Sequence, residues 1–134
     1  MPAAADLHVM VVDDQKSIRA LVRGSLQQLG CRHITECGDG VEALEKLNMQ
    51  ATHLIISDLN MPNLDGLGLL EAVRKKPGFE KLAFIMLTTR AEGDLVKRAV
   101  RLGVNNYIIK PFAFGQLKAK IEAGAKLEDF RIKA

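Results

Sequence analysis

The chain has 134 residues, enough for one domain with its own core and too few for a second, so any output is expected to pass through a partner. Hydrophobic residues make up 48% of the sequence and aromatic residues only 4%, which excludes disordered and fibrous proteins and predicts an aliphatic core. The net charge of +3 is modest. Together with the lack of a recognition-helix module, it argues against binding of duplex DNA.

The first seven residues contain no basic flank followed by an apolar stretch, and no apolar run approaches the roughly 20 residues that span a bilayer. A cytoplasmic protein without membrane insertion is therefore expected. The two cysteines, Cys31 and Cys37, lie six positions apart across a predicted strand. An extended chain separates such positions by about 20 Å, beyond the reach of a disulfide, so two reduced thiols are expected.

Five short apolar runs rich in branched side chains predict β-strands at residues 8–12, 33–37, 53–57, 82–87 and 106–109. Between and after them, apolar residues at three- and four-residue spacing predict helices at residues 17–29, 41–49, 66–75, 92–102 and 114–127. This alternation predicts an α/β fold with a doubly wound, five-stranded parallel sheet covered on both faces. One domain is expected over residues 1–134, with a core at 8–127 and a short polar tail.

Polar residues directly follow four of the predicted strands. Asp13 and Asp14 follow the first strand, Asp58 the third, Thr88 and Thr89 the fourth, and Lys110 and Pro111 the fifth. Because ligands of such sheets bind beyond the carboxyl ends of the strands, these side chains are expected to share one crevice. Three carboxylates there repel each other unless a cation neutralises them or their pKa values rise, and a cation is the favoured explanation.

Oxygen ligands of this kind favour Mg²⁺ over softer metals. His8, His33 and His53 all lie at strand starts, on the opposite edge from the carboxylates, and no Cys and His pair has zinc spacing. The three histidines are therefore interpreted as structural or surface residues.

A metal ion and Lys110 would supply positive charge to a phosphoryl group during transfer, with one carboxylate as nucleophile and the Thr88 hydroxyl as a donor to the product. A structural alternative is that Asp13 and Asp14 cap the first helix and that Asp58 begins a turn. That alternative explains each residue taken singly, but it does not explain all four strand ends together.

These residues belong to motifs that match one family. The segment from Asp58 to Gly66, DLNMPNLDG, follows the acidic pair and precedes Thr88 and the Lys110-Pro-Phe motif. With these motifs, residues 8–127 resemble the receiver domain of response regulators, which implies a (βα)5 flavodoxin-like receiver fold. Asn60-Met-Pro, Tyr107-Ile-Ile-Lys and the lack of an output domain are most similar to the stand-alone chemotaxis regulators, the CheY-like group.

The resemblance implies a role for each residue of the site. Asp58 would accept a phosphoryl group from a histidine kinase. Asp14, Asp58 and the backbone carbonyl of Asn60 would hold Mg²⁺, and Asp13 would assist largely through water. Lys110 would pair with a phosphate oxygen. The only catalysis expected is of the protein's own phosphorylation and dephosphorylation.

The resemblance also implies a switch. Thr88 would move toward the phosphoryl group while Tyr107 turns inward, which would reshape the face built from the fourth helix, the fifth strand and the fifth helix. The Lys110-Pro111 bond would be cis. Thr89 stands where the family usually has a smaller residue, and Arg90 lies near a position that tunes hydrolysis, so the lifetime of the phosphorylated state is left open.

The carboxyl-terminal third is basic, with ten Lys or Arg against five Asp or Glu in residues 90–134, whereas the first 89 residues sum to −2. Arg90 precedes the predicted fourth helix, on which Asp94, Lys97, Arg98 and Arg101 form a largely basic stripe. Three explanations are weighed: a solvated face, an acidic protein partner, or a phosphate-bearing ligand such as a cyclic dinucleotide.

The first hypothesis is a monomeric binding switch in chemotaxis or motility that is phosphorylated by a kinase and docks onto a motor, kinase or scaffold protein. A second is a phosphate sink that drains phosphoryl groups from a shared kinase by its own hydrolysis. A third is a fragment of a longer DNA-binding regulator. A metabolic enzyme is the weakest alternative, because the loops contain no Gly-rich nucleotide motif and no Ser or Cys nucleophile beside a histidine.

Overall fold

The computed structural model describes residues 6–89 and 93–124, along which strands and helices alternate. The strands are β1 (His8–Val12), β2 (His33–Cys37), β3 (Leu54–Asp58), β4 (Ala83–Thr88) and β5 (Asn106–Ile109). The helices are α1 (Lys16–Gln28), α2 (Gly40–Leu47), α3 (Gly66–Lys75), α4 (Gly93–Arg101) and α5 (Phe114–Gly124). All pairings are parallel, in the order β2-β1-β3-β4-β5, which confirms the predicted α/β class and doubly wound sheet.

The predicted boundaries agree for β1, β2, β5 and α3 and differ by one or two residues in most other elements. The prediction that β3 and β4 end before Asp58 and Thr88 is wrong, since each is the last residue of its strand. Their backbones still pair with the neighbouring strand, Asp58 opposite Leu87 and Thr88 opposite Ile109. The predicted helix beyond residue 124 and the polar tail lie outside the described residues.

Two clusters of buried side chains cover the two faces of the sheet. Val11 lies in the cluster that joins the sheet to α1 and α5, together with Leu26 of α1. Its neighbour Met10 lies in the other cluster, together with Leu70 of α3. Successive residues of a strand point to opposite faces, so a strand buried on both sides must be apolar throughout. This explains the continuous apolar runs of the sequence.

The cysteines and the lengths of the helices bear on two further expectations. Cys31 and Cys37 are unpaired and buried, in agreement with the prediction of two reduced thiols. Within residues 6–89 and 93–124, no helix has both the length and the apolar character needed to cross a membrane.

Arg74, near the end of α3, ties together the loops that lead into β4 and β5. Its guanidinium makes five hydrogen bonds of 2.7–3.4 Å, to the carbonyl oxygens of Phe79, Leu82 and Gly103 and to Oδ1 of Asn105. A guanidinium has five N–H bonds in a fixed planar arrangement, so this side chain can bond several acceptors at once.

The three histidines meet at the same end of the sheet. The rings of His8 and His33 stack with centroids 4.4 Å apart and planes inclined by 6°, and Nδ1 of His53 accepts a hydrogen bond of 2.9 Å from the backbone N–H of His8. Their contact depends on β1 pairing beside β2, with His8 opposite His33. The edge formed by these histidines and Arg74 is called the amino-end rim below.

Candidate functional site

Three carboxylates meet at the other edge of the sheet. Asp13 and Asp14 directly follow β1, and Asp58 ends the neighbouring strand β3. One carboxylate oxygen of each residue lies within 4.8 Å of the others. The edge formed by these three residues and Lys110 is called the carboxyl-end rim. The structure therefore brings together the three predicted acidic metal ligands, two of them buried and the third, Asp14, exposed.

The Asp13 carboxylate is fully buried, and its two oxygens have different surroundings. Oδ1 accepts a hydrogen bond of 2.9 Å from the backbone N–H of Gln15. Oδ2 has no hydrogen-bond partner among the described residues, although Lys110 Nζ lies 3.6 Å away. A buried carboxylate oxygen without a partner is costly, so a cation beside it would be stabilising.

Lys110 reaches the cluster from the end of β5. Its Nζ lies 3.0 Å from Oδ1 of Asp58, and only 17% of its side chain is exposed. Its backbone N–H donates a hydrogen bond of 2.6 Å to the carbonyl oxygen of Thr88, which fixes the start of the loop after β5 against the end of β4. The Lys110-Pro111 peptide bond is cis, as the resemblance implies.

Burial dominates the ionisation of the two buried acids. It raises the pKa of Asp58 above the usual range, and the hydrogen bond and charge of Lys110 offset this only in part. Burial likewise raises the pKa of Asp13, against the hydrogen bond from Gln15 and with a further increase from the charge of Asp58. Burial alone would lower the pKa of Lys110, but its hydrogen bond to Asp58 and the nearby carboxylates raise it overall. Lys110 is therefore charged and only partly neutralises its neighbours.

The donors present fit a hard divalent cation. Three carboxylate oxygens lie close together, one of them buried without a hydrogen-bond partner among the described residues, and Asp14 leaves one side exposed. Mg²⁺ is usually held by one or two carboxylates together with waters and phosphate oxygens, which an open side accommodates. Within residues 6–89 and 93–124, Lys110 is the only basic residue that forms ion pairs with the cluster, and it pairs with Asp13 and Asp58.

The structural alternative for the acidic residues is wrong for α1. The residue that caps α1 is Gln15, which makes no side-chain capping bond, and the Asp13 side chain bonds the backbone before the helix begins. The true side-chain caps are Asp39 of α2 and Asp65 of α3, which accept from Glu42 and Gly68.

The predicted switch residues lie on adjacent strands. Thr88 is buried at the end of β4, where its hydroxyl donates a hydrogen bond of 3.2 Å to the carbonyl oxygen of Thr89. Tyr107 of β5 lies opposite Met86, two residues before Thr88, so register places Tyr107 and Thr88 on one face of the sheet. The Tyr107 ring is half-buried, with Lys120 Nζ of α5 5.5 Å from its centroid.

The other predicted residues that the structure describes lie at the border of the carboxylate cluster or on α4. Asn60 is exposed, and its backbone N–H lowers the pKa of Asp58 by hydrogen bonding, while its carbonyl as a metal ligand stays a prediction. Lys97, Arg98 and Arg101 are exposed on α4, and none of them forms an ion pair with another described residue. Arg90 lies outside the described residues.

Gly66, the first residue of α3, lies against the backbone of the site. A Cβ at this position would collide with the carbonyl oxygen of Asp58 and would lie 2.8 Å from the sulfur of Met86. The Gly66 backbone N–H donates a hydrogen bond of 3.0 Å to the carbonyl oxygen of Leu59, the residue that follows Asp58. The start of α3 thus packs on the backbone of the acidic residue, and the sequence signal for this was the glycine itself.

The fold and the carboxyl-end rim together define the receiver class of phosphoacceptor domains. The sequence matches the family described as the response regulator receiver domain over residues 9–122, and the chain belongs to this family. Receiver domains accept phosphoryl groups and are not enzymes in the usual sense.

Among the relatives and solved structures that the chain resembles are several CheY proteins. The chain is 46% identical over 123 residues to a probable chemotaxis protein CheY of Rhizobium etli, covering 92% of this chain and 95% of the relative. It is 41% identical over 117 residues to chemotaxis protein CheY1 of Helicobacter pylori, covering 87% and 94%. The structure of the chemotaxis response regulator CheY4 of Vibrio cholerae superposes with a TM-score of 0.81 at 31% identity, covering 88% of this chain and 98% of that one. Over most of its length the chain is therefore CheY-like.

Proposed function

We propose that this protein is a cytoplasmic, single-domain chemotaxis response regulator that accepts a phosphoryl group from a histidine kinase on Asp58, with Mg²⁺ as cofactor. The observation that carries the proposal is the position of Lys110 Nζ, 3.0 Å from Oδ1 of Asp58 and 3.6 Å from the buried Oδ2 of Asp13, which accepts no hydrogen bond from a described residue. The CheY-like relatives support the chemotaxis part of the proposal.

In the proposed transfer, a carboxylate oxygen of Asp58 forms a bond to phosphorus while the bond from phosphorus to a histidine nitrogen of the kinase breaks, and the electron pair leaves with the histidine. When bound, Mg²⁺ supplies positive charge that neutralises carboxylate and phosphoryl oxygens. Lys110 already contacts the attacking carboxylate, so it is placed to bind an oxygen of the transferred group. In dephosphorylation, water attacks phosphorus while the bond from phosphorus to the Asp58 oxygen breaks, which releases the Asp58 carboxylate and inorganic phosphate.

The proposed output runs from the end of β4 to β5 and the neighbouring helices. Lys110 and Thr88 are joined by a backbone hydrogen bond, so a group bound by Lys110 also acts on the strand end that carries Thr88. Beside Tyr107, a groove of about 380 Å³ lies between β5 and α5, lined by apolar side chains and by Gln116 and Lys120. We propose that this groove and α4 form the docking face for a motor or kinase protein.

The test compares the wild type with Asp58→Ala. Both proteins are incubated with Mg²⁺ and acetyl phosphate and examined by intact mass, and then treated with beryllofluoride, which mimics an acyl phosphate, and examined by amide NMR. We expect one phosphoryl group on the wild type only, and beryllofluoride shifts that extend from Asp58 to Tyr107 and α4.

If only the mass experiment shows no phosphorylation, this would indicate that Thr89 restricts the access of acetyl phosphate to Asp58. Absence of beryllofluoride shifts in the wild type would overturn the proposal and leave a receiver fold that binds a partner without phosphorylation. The phosphate-sink alternative predicts a normal reaction but rapid loss of the phosphoryl group and no partner that prefers the phosphorylated form.

The exposed stripe of Lys97, Arg98 and Arg101 favours a second candidate function, binding of an anionic ligand at α4. None of the three forms an ion pair with a described residue, and a guanidinium can bond two phosphate oxygens at once. A calorimetric titration with a cyclic dinucleotide tests this, with Arg98→Ala and Arg101→Ala expected to weaken binding. Lack of binding to the wild type would leave the stripe as a solvated or protein-binding face.

A further inference from the structure

Three of the four polar atoms of Asp13 form hydrogen bonds with other residues. Its backbone N–H donates 3.0 Å to the carbonyl oxygen of Cys37, and its Oδ1 accepts from the N–H of Gln15 at 2.9 Å. Its backbone carbonyl accepts a hydrogen bond of 2.6 Å from Nη1 of Arg19. The remaining polar atom is Oδ2, which faces the cluster. Of these three hydrogen bonds, only the one from Arg19 involves the side chain of another residue.

Arg19 is itself anchored at a second point. Its Nε donates 3.1 Å to Oε1 of Glu36 on the edge strand β2, and only 14% of its side chain is exposed. The backbone N–H of Arg19 also donates 3.1 Å to the carbonyl oxygen of Gln15. Because Nε and Nη1 belong to one rigid plane, the bond to Glu36 fixes the direction in which Nη1 points. Arg19 thus connects β2 to the loop of residues 13–15 that bears two of the carboxylates.

We infer that Arg19 is a positioning residue for the metal site: anchored on Glu36, it holds the Asp13 carbonyl so that Oδ2 faces Asp14 and Asp58. This inference rests on the proposed function, because it requires that the carboxylates bind a cation. Groups that orient the residues around a metal commonly change its affinity when they are removed, although they do not touch it. Arg19 makes no contact with the phosphoryl-accepting carboxylate among its hydrogen bonds.

The competing explanation is an ordinary ion pair that fastens α1 to β2. Arg23, one turn later on α1, does this without reaching the site. Its Nη1 lies 3.3 Å from the other oxygen of Glu36 and 3.4 Å from the carbonyl oxygen of Ile34. The two arginines share an anchor and a helix and differ in whether they bond Asp13. Arg23→Ala is therefore a matched control for Arg19→Ala.

The experiment is a Mg²⁺ titration followed by the amide NMR signals of Asp14 and Asp58, on full-length wild type, Arg19→Ala, Arg19→Lys, Arg23→Ala and Glu36→Gln. Thermal unfolding without metal is measured for each variant. We expect Arg19→Ala to weaken Mg²⁺ binding by about 10-fold, and Arg23→Ala by less than about 2-fold. Arg19→Lys keeps the charge but not the planar pair of donors, so its affinity is expected to lie between those of Arg19→Ala and the wild type.

Equal Mg²⁺ affinity in Arg19→Ala and the wild type would overturn the inference, as would equal losses in Arg19→Ala and Arg23→Ala. If Arg19→Ala does not fold, Arg19→Lys and Glu36→Gln decide the matter, because both keep the size of the side chain and both are expected to weaken Mg²⁺ binding. Wild-type protein that binds no Mg²⁺ would instead contradict the proposed cofactor, which separates failure of the proposed function from failure of this inference.

Discussion

The two rims of the sheet differ in how far their charged and polar groups are balanced by partners. At the amino-end rim, the charge of Arg74 is covered by four oxygen acceptors, and the histidines contact one another. At the carboxyl-end rim, three carboxylates lie together beside one lysine, and an oxygen of Asp13 is buried without a hydrogen bond from a described residue. Satisfied polar groups stabilise a fold, whereas crowded like charges cost stability and are kept where they bind something. The comparison predicts opposite effects of mutation at the two ends.

The largest effect is expected at Arg74. Arg74→Met removes five hydrogen bonds and leaves loop carbonyls without a donor, so the free energy of unfolding should fall by about 2–4 kcal/mol. Urea unfolding followed by circular dichroism measures this. The control is Lys75→Met, at the next position of α3, whose exposed ion pair with Glu71 spans 3.9 Å and is worth below about 0.5 kcal/mol. Similar losses in both variants would contradict the assigned role of Arg74.

Gly66→Ala should have the next largest effect. The added methyl group would press on the Asp58 backbone and on Met86, which should lower the free energy of unfolding by about 1–3 kcal/mol and slow phosphorylation by acetyl phosphate. The matched variant is Gly24→Ala on α1, where a Cβ meets nothing within 4 Å. It should raise stability by about 0.5–1 kcal/mol and leave phosphorylation unchanged. A normal phosphorylation rate in Gly66→Ala would show that the strand end tolerates displacement.

Asp13→Asn tests the opposite sign at the carboxyl-end rim. Because burial raises the pKa of Asp13, its carboxylate form costs stability in the metal-free protein once the pH exceeds the usual carboxyl range. The amide should therefore raise the free energy of unfolding at neutral pH by about 1–2 kcal/mol. Added Mg²⁺ should stabilise the wild type and have little effect on the variant. A less stable variant without metal would mean that the cluster is not strained by charge.

The smallest effect concerns the cysteines, which belong to neither rim. Burial raises the pKa of Cys31 and of Cys37 from 9.0 to about 11. A thiol whose folded pKa is raised contributes its full stability below pH 9.0 and loses it as the pH rises toward 11. Unfolding measured across this range should show a decline that is shallower in the Cys31→Ala and Cys37→Ala double variant. Both thiols should also react slowly with iodoacetamide at neutral pH until urea unfolds the protein.

The sequence predicts the residues of the carboxyl-end rim better than the contacts of the amino-end rim. Apolar runs bounded by polar residues locate the strands, and the order of the strands brings their ends together, so Asp13, Asp58 and Lys110 follow from local pattern and topology. The Arg74 bonds to Gly103 and Asn105 cross 29 and 31 positions of the chain, and no local pattern marks an arginine that will meet carbonyls of distant loops. The same holds for Arg19 of α1, whose partner Glu36 is 17 positions away on β2.

The boundaries of β3 and β4 illustrate the limit of polarity as a signal. Asp58 and Thr88 end the hydrophobic pattern, so the pattern predicts that they lie outside the strands, but their backbones continue the pairing. Backbone hydrogen bonding depends on the neighbouring strand and not on the side chain, so it extended both strands by one residue beyond the prediction.

The unequal exposure of the three carboxylates has a consequence for timing. Asp14 faces solvent while Asp13 and Asp58 are buried, so an ion can enter or leave from the Asp14 side without any opening of the core. Thr88, in contrast, is fully enclosed, and its rearrangement requires neighbouring side chains to move. Exposed side chains move in picoseconds to nanoseconds and collective rearrangements take about microseconds to milliseconds. For the proposed Mg²⁺ site, the ion is therefore expected to exchange without rearrangement of the core, whereas the proposed movement of Thr88 requires one.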